Sequence, residues 1–324
     1  MLIDKYGRVA QKLRISVTDR CNLRCVYCMP ADPEWLPKAE ILSFEEIARI
    51  ARVSVGRGVR KIRLTGGEPL VRRDLDRLVR MLVPIPGLES LGMTTNGCFL
   101  EEQAGALRAA GLRSLNVSLD TLDRERFRRM ARIDGLEKTL RGIDAAARAG
   151  FRIRLNAVVM REENEDEIPA LCRYGRERGF PVRFIEFMPL DGDRTWTRAR
   201  VVPETEILER AAAVAPLVPQ PTDPASPARR WTFSDGVGEI GIIASVTRPF
   251  CGSCDRIRIT ADGKFRTCLF ATAETDLKAA LRGGATDEEL ASLLAGAVRE
   301  KWAGHAINTA GFVQPERAMN AIGG

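Results

Sequence analysis

Between residues 12 and 188 the chain repeats one pattern six times: a short β-branched stretch with alternating polarity, then a stretch of helical spacing. The strand-like stretches are LRISVTD (13–19), KIRLTGG (61–67), SLGMTTN (90–96), SLNVSLD (114–120), RIRLNAVV (152–159) and VRFIEFM (182–188). Between them the apolar residues shift to helical periodicity, as at Phe44, Ile47, Ala48, Ala51 and Val55. Ser43 opens that helix with Glu46 three residues on, a capping-box pattern, and Gly56 and Gly58 close it. Further helices are expected from about 73, from 101, over 123–130 and 135–149, and from about 165. Such alternation predicts a parallel sheet covered by crossover helices. Six units are too few to close an eight-stranded barrel. The expected fold is α/β, a partial (βα)6 TIM-like barrel, with a doubly wound sheet as the alternative. In either, functional side chains gather beyond the C-terminal strand ends. The polar motifs TDRC, TGGEP, TTNG and SLD stand there.

After Met188 the character changes. Residues 189–230 are rich in proline and charge, and PQPTDPASPARR reads as a loop. Two hairpins are expected, one turning at SDG within RWTFSDGVGEIGIIASV and one at ADG within RIRITADGKFRTCLF. Two helices (276–283 and 287–302) and an irregular tail finish the chain. The division expected is a partial-barrel domain over 1–190 and a C-terminal α+β extension over 191–324.

No apolar run approaches the roughly 18 residues that span a bilayer, and the first residues lack the apolar core of a secretory leader. A cytoplasmic protein with no membrane partner is expected. The net charge of +7 suits a phosphate-bearing partner as well as it suits a solvated arginine-rich surface. The single histidine, His305, leaves too few imidazoles for a zinc protease, deaminase or two-histidine iron site in one subunit. A GxGxxG match at Gly236, Gly238 and Gly241 precedes a strand rather than a helix and carries no dinucleotide reading.

Of eight cysteines, six form two sets of three: Cys21, Cys25, Cys28 and Cys251, Cys254, Cys268. Cys98 and Cys172 stand alone and read as ordinary core or surface thiols. Structural zinc takes four ligands, and neither set has a fourth cysteine or histidine beside it. Three thiolates on a four-iron cluster leave one iron open. Arg256 and Arg258 follow Cys254 at i and i+2 on an expected strand, so both guanidiniums share a face, which suits phosphate. No GxxxxGK[ST] loop is present, so a nucleotide triphosphate would need cationic side chains.

CxxxCxxC after a first strand, with Tyr27 before the third cysteine and GGEP (66–69) after the second strand, resembles the radical S-adenosylmethionine superfamily. Over its whole length the chain resembles the GTP 3′,8-cyclases of molybdenum cofactor biosynthesis. The stretches that carry this are LRISVTDRCNLRCVYCMP, KIRLTGGEPLVRRDL, TTNG, LNVSLD, RFIEFMPL, FCGSCDRIRITADGKFRTCLF, GHAIN and the terminal IGG. The resemblance implies radical cyclisation of GTP to (8S)-3′,8-cyclo-7,8-dihydroguanosine 5′-triphosphate. It implies two [4Fe–4S] clusters, one on Cys21, Cys25 and Cys28, the other on Cys251, Cys254 and Cys268 within the extension. S-adenosyl-L-methionine would meet Tyr27, Gly66, Gly67, Glu68, Ser118 and Met188. GTP would meet Arg14, Arg63, Thr94, Arg154, Arg256 and Arg258, with Arg154 standing where the family often has lysine. Arg256, Arg258 and the tail glycines Gly323 and Gly324 would serve catalysis. A flavodoxin- or ferredoxin-type electron donor, a homodimer, and cyclic pyranopterin monophosphate synthase as the next enzyme follow from the same resemblance; a nucleic-acid partner does not. Another two-cluster enzyme acting on a peptide, or a zinc protein binding nucleic acid, are the competing readings.

Overall fold

The computed structural model describes residues 1–323. All strands join one twelve-stranded sheet. They are β1 (Lys12–Ser16), β2 (Lys61–Thr65), β3 (Ser90–Thr95), β4 (Ser114–Ser118), β5 (Arg152–Val159), β6 (Val182–Glu186), β7 (Leu217–Gln220), β8 (Arg229–Phe233), β9 (Glu239–Ile243), β10 (Arg256–Ile259), β11 (Lys264–Arg266) and β12 (Thr275–Asp276). β1 to β6 run parallel in sequence order, as the alternation predicts.

The extension lengthens this sheet at both edges. β9 pairs parallel with β6, and β10 pairs parallel with β1 in the register Arg14 to Arg258. The hairpins expected at SDG and ADG form there, β8 antiparallel to β9 and β11 antiparallel to β10. Gly236 and Gly263 take positive φ at the two turns. The central run is therefore an eight-stranded parallel sheet with antiparallel flanks. It stays open, because β10 and β9 spend their outer edges on β11 and β8.

Strand composition explains the one-sided packing. Leu13 and Ile15 in β1, Ile62 and Leu64 in β2, and Ile257 and Ile259 in β10 are buried in the main apolar core. Their alternates are Arg14, Arg63, Arg256 and Arg258. A sheet covered by helices on both faces would read apolar at nearly every position. This one has a packed outer face and a polar concave face, which is the partial barrel rather than the doubly wound sheet.

The helix over Phe44–Gly56 carries the expected Ser43–Glu46 capping box. A second capping box, Thr286 with Glu289, opens the helix Asp287–Arg299. Short elements appear that the sequence reading did not give. A helix over Glu204–Ala212 lies in the proline- and charge-rich stretch 189–230, β7 runs into the start of the segment read as loop, and a one-turn helix over Met319–Ile322 lies in the tail. Proline at 203 and 219 masks the first two. The third is held by tertiary contacts, since Met319 N–H donates to the Leu190 carbonyl at 3.0 Å. Among the described residues no helix is long and apolar enough to cross a membrane.

Candidate active site

The C-terminal ends of the parallel strands surround a cavity of about 280 Å³. Both cysteine sets line it. The first lies on the loop after β1, where Cys28 N–H donates to the Cys25 carbonyl at 2.9 Å. The second lies on the short turn Cys251–Ser253 before β10 and just after β11. Because β10 is the next strand to β1, two sets more than 220 residues apart in sequence face one space.

Burial pushes the Cys21 thiol up to about 12, helped by the Glu68 carboxylate, and raises Cys25 and Cys28 further. Buried thiols that cannot ionise alone ask for a cationic guest. Among the described residues no three His, Cys, Asp or Glu side chains close on a single ion. The fit to iron–sulfur clusters rests on the donor chemistry: two sets of three free, half-buried thiols, each open to the same cavity.

TGGEP braces the cysteine loop. Gly67 N–H donates to the Thr18 carbonyl and Glu68 N–H to the Arg20 carbonyl, each at 2.8 Å. A Cβ at Gly66 would stand 2.5 Å from the Thr18 oxygen, and one at Gly67 would stand 2.3 Å from that of Asp19. The glycines line the cavity, but their lack of a side chain is required first by this backbone contact. Glu68 does not reach the cavity wall. Its buried carboxylate accepts from Leu70 N–H (3.0 Å), Thr95 Oγ1 (2.7 Å) and Asn96 N–H (2.6 Å). Desolvation pushes it up to about 7 against those three donors.

Tyr27, Ser118 and Met188 line the cavity as expected. Tyr27 Oη donates to Asp120 Oδ2 at 2.6 Å, and Val158 N–H donates to Oδ1 at 2.8 Å. Burial pushes the Asp120 carboxyl up to about 6. Asn96, from TTNG, lines the cavity and donates through Nδ2 to Asn22 Oδ1 at 2.8 Å. His305 lines it too, its ring centroid 4.9 Å from that of Phe270. Cys98 and Cys172 are buried in the main core and do not line the cavity.

The concave face carries a cluster of arginines. Arg14, Arg256 and Arg258 line the cavity with Thr94. Arg63 and Arg154 share the face without reaching the wall; Arg63 Nη1 donates to the Met93 carbonyl at 3.0 Å. A Cβ at Gly92 would lie 3.1 Å from Arg63 Nη2, so glycine there makes room for that guanidinium. Burial pushes Arg14 down to about 10 and Arg63 to about 9, and neighbouring guanidiniums push the same way. Arg258 falls further, for burial first and then Arg14. None of these arginines forms an ion pair with a carboxylate among the described residues; Glu239, on the neighbouring β9, is engaged by Arg230. Like charges packed together without counter-ions are costly, and a bound polyanion removes that cost.

Arg183 was missed. It lines the cavity from β6, where burial and Arg154 push it down to about 10. The alternation in VRFIEF already separates Arg183 from the buried Phe184, and that was the available signal. Asn116 and Asn156, also on the wall, carried the same one.

The tail enters the cavity. Arg258 Nη1 donates to the Gly323 carbonyl at 2.6 Å. Gly323 has φ +76°, and a Cβ on it would lie 2.7 Å from Thr65 Oγ1 and 3.0 Å from Ser16 Cβ. Gly324, expected to share its role, lies outside the described residues.

Comparison with known proteins follows this geometry. Residues 15–175 match the Radical SAM superfamily model, and residues 180–307 match Molybdenum Cofactor Synthesis C. A GTP 3′,8-cyclase of Rhodopirellula baltica is 51% identical, covering 100% of this chain and 92% of its own length. One from Streptomyces coelicolor is 46% identical, covering 100% and 96%. Among solved structures, Streptococcus suis SuiB bound to S-adenosylmethionine superposes with a TM-score of 0.66 at 15% identity, covering 96% of this chain and 76% of that one, a likeness of fold.

Proposed function

The chain belongs to the GTP 3′,8-cyclase family, and from that premise we propose how its residues divide the work of the reaction. It is a radical S-adenosylmethionine enzyme that cyclises GTP to (8S)-3′,8-cyclo-7,8-dihydroguanosine 5′-triphosphate, the first step of molybdenum cofactor biosynthesis. It uses S-adenosylmethionine and an iron–sulfur cluster.

Our reading gives Cys21, Cys25 and Cys28 to that cluster, and Cys251, Cys254 and Cys268 to a second one. Bound beside Cys21, Cys25 and Cys28, S-adenosylmethionine would supply the radical chemistry that acts at C3′ of the GTP ribose. The chain's own residues bind, aim and enclose. Gly66, Gly67, Ser118 and Met188 border the cofactor. Tyr27 is held by Asp120 and keeps its hydroxyl turned to the β4 end of the cavity. Glu68 acts one step back, fixing the second and third strand loops against each other. Arg14, Thr94, Arg183, Arg256 and Arg258 hold GTP, while Arg63 and Arg154 add field from behind. Gly323, and Gly324 after it, complete the pocket through the Arg258 contact. The reacting carbon must meet the radical at contact distance, and a cavity walled by rigid strand ends supplies that aim.

The observation that carries this division is the unpaired arginine cluster lying between two three-thiol sets in one cavity. A protein electron donor of flavodoxin or ferredoxin type, a homodimer, hand-over to cyclic pyranopterin monophosphate synthase, a cytoplasmic location and the 1–190/191–324 division belong to the same reading. The test is anaerobic reconstitution followed by GTP, S-adenosylmethionine and a strong reductant. About eight irons per chain with equimolar 5′-deoxyadenosine and cyclised nucleotide are expected. About four irons in a fully active preparation would overturn the second cluster.

A further inference from the structure

Two buried cations frame the second cysteine set, and their charge balance differs. Arg8 donates through Nη1 to the carbonyls of Cys251 (2.6 Å) and Ala303 (2.8 Å), and through Nη2 to that of Trp302 (2.5 Å). Its charge is matched by Asp4, whose Oδ2 accepts from Nε at 2.6 Å. Lys301, 3% exposed, donates to the carbonyls of Cys254 (2.8 Å) and Arg256 (2.9 Å), and its Nζ lies 3.6 Å from Cys254 Sγ. It forms no ion pair with a carboxylate among the described residues; its contacts are those two carbonyls and the Cys254 sulfur.

A buried ammonium without a counter-ion is expensive unless a partner charge stands beside it. The thiolate at contact distance is that of Cys254, 3.6 Å from Nζ, with whatever that thiolate ligates. The two carbonyl contacts pin the ammonium at the junction between the Cys251–Ser253 turn and β10, so it cannot swing to solvent. Burial weakens screening at this position, and the charge acts on the sulfur at close range.

We propose that Lys301 is the positioning residue of the second cysteine set, its ammonium serving as counter-charge to the Cys254 ligand and raising the reduction potential of the cluster held there. The proposal rests on the reading that this set holds a cluster. Hydrogen bonds and positive charge at a ligating sulfur stabilise the more negative, reduced state.

The experiment uses the full-length chain with Cys21, Cys25 and Cys28 replaced by serine, reconstituted anaerobically, so that only the second set can hold iron. Iron and sulfide are counted, and the potential is measured by a mediated titration followed by electron paramagnetic resonance. About four irons per chain support the underlying reading; none in this parent would sink that reading and leave the lysine without an object. Given iron in the parent, Lys301→Met is expected to shift the one-electron equilibrium at least ten-fold toward the oxidised form, 59 mV to the negative. Lys301→Arg is expected to stay near the parent. If Lys301→Met does not hold iron, Lys301→Gln, which keeps two donors and removes the charge, takes its place. A potential unchanged in the neutral variant, with iron retained, overturns the proposal, as does an equal shift in Lys301→Arg.

Discussion

The Arg258 guanidinium, buried in the concave face, donates to the backbone carbonyl of Gly323 at 2.6 Å. One contact thereby joins the strand between Cys254 and Cys268 to Gly323. It also brings that glycine to the cluster of guanidiniums that lack carboxylate partners among the described residues.

Gly323→Ala tests the fit of that end. The substitution puts a side chain into left-handed backbone, costing about 1–2 kcal/mol, and drives Cβ to within 2.7 Å of Thr65 Oγ1. GTP cyclisation is expected to fall at least about a hundred-fold, roughly 2.7 kcal/mol in barrier terms, with iron content unchanged and the thermal midpoint lowered by only a few degrees. Near-normal product formation would show that the tail's position is incidental.

Arg183→Met separates folding from binding. Removing one charge from an unpaired cluster relieves repulsion and desolvation, so the ligand-free protein should gain about 1 kcal/mol. GTP affinity should drop at least about ten-fold through loss of a phosphate partner. Calorimetric binding and chemical denaturation of the same sample read the two signs. A variant that loses stability while keeping GTP affinity would contradict both.

The buried carboxyls set a pH dependence. Asp120 moves from 3.8 to about 6 and Glu68 from 4.5 to about 7, both by desolvation. Both folded values lie above the unfolded ones, so their contribution is present in full below about pH 4 and is lost as pH rises through 6 to 7. At about 1.4 kcal/mol per unit, each group should lower the unfolding free energy of the ligand-free protein by about 3 kcal/mol across that window. An Asp120→Asn, Glu68→Gln double variant should show a flatter profile in denaturant titrations from about pH 5 to pH 8. The same slope in the variant would assign the dependence to other groups.

Iron stoichiometry distinguishes the cysteines. Cys25→Ser and Cys254→Ser should each remove about four irons per chain. Cys98→Ser should remove none, since Cys98 sits in the main core against Thr139 and Gly135. An equal loss for all three would point to general unfolding rather than ligation.

Local pattern alone determined much of this protein. The period-2 strands and 3.6-period helices specify six βα units, because side-chain direction repeats within a few residues. The cysteine spacings and GGEP mark the cofactor chemistry without knowledge of the fold. Even Arg183 was legible from the alternation in β6. Other features depended on pairings between distant residues, about which local periodicity is silent. Nothing in the sequence of the two hairpins says that β9 joins β6 while β10 joins β1, yet that choice brings the second cysteine set into the first one's cavity. Glu68 belongs to a cofactor motif in sequence, but in space it faces Thr95 and Asn96, because the loops after β2 and β3 are neighbours only in the folded sheet. Lys301 has no signature in the sequence at all; its proximity to Cys254 arises when the helix ending at Arg299 packs against β11 and the helix Phe44–Gly56. Tertiary structure decides such contacts because their physical cause is the burial of a group beside a partner far away in the chain.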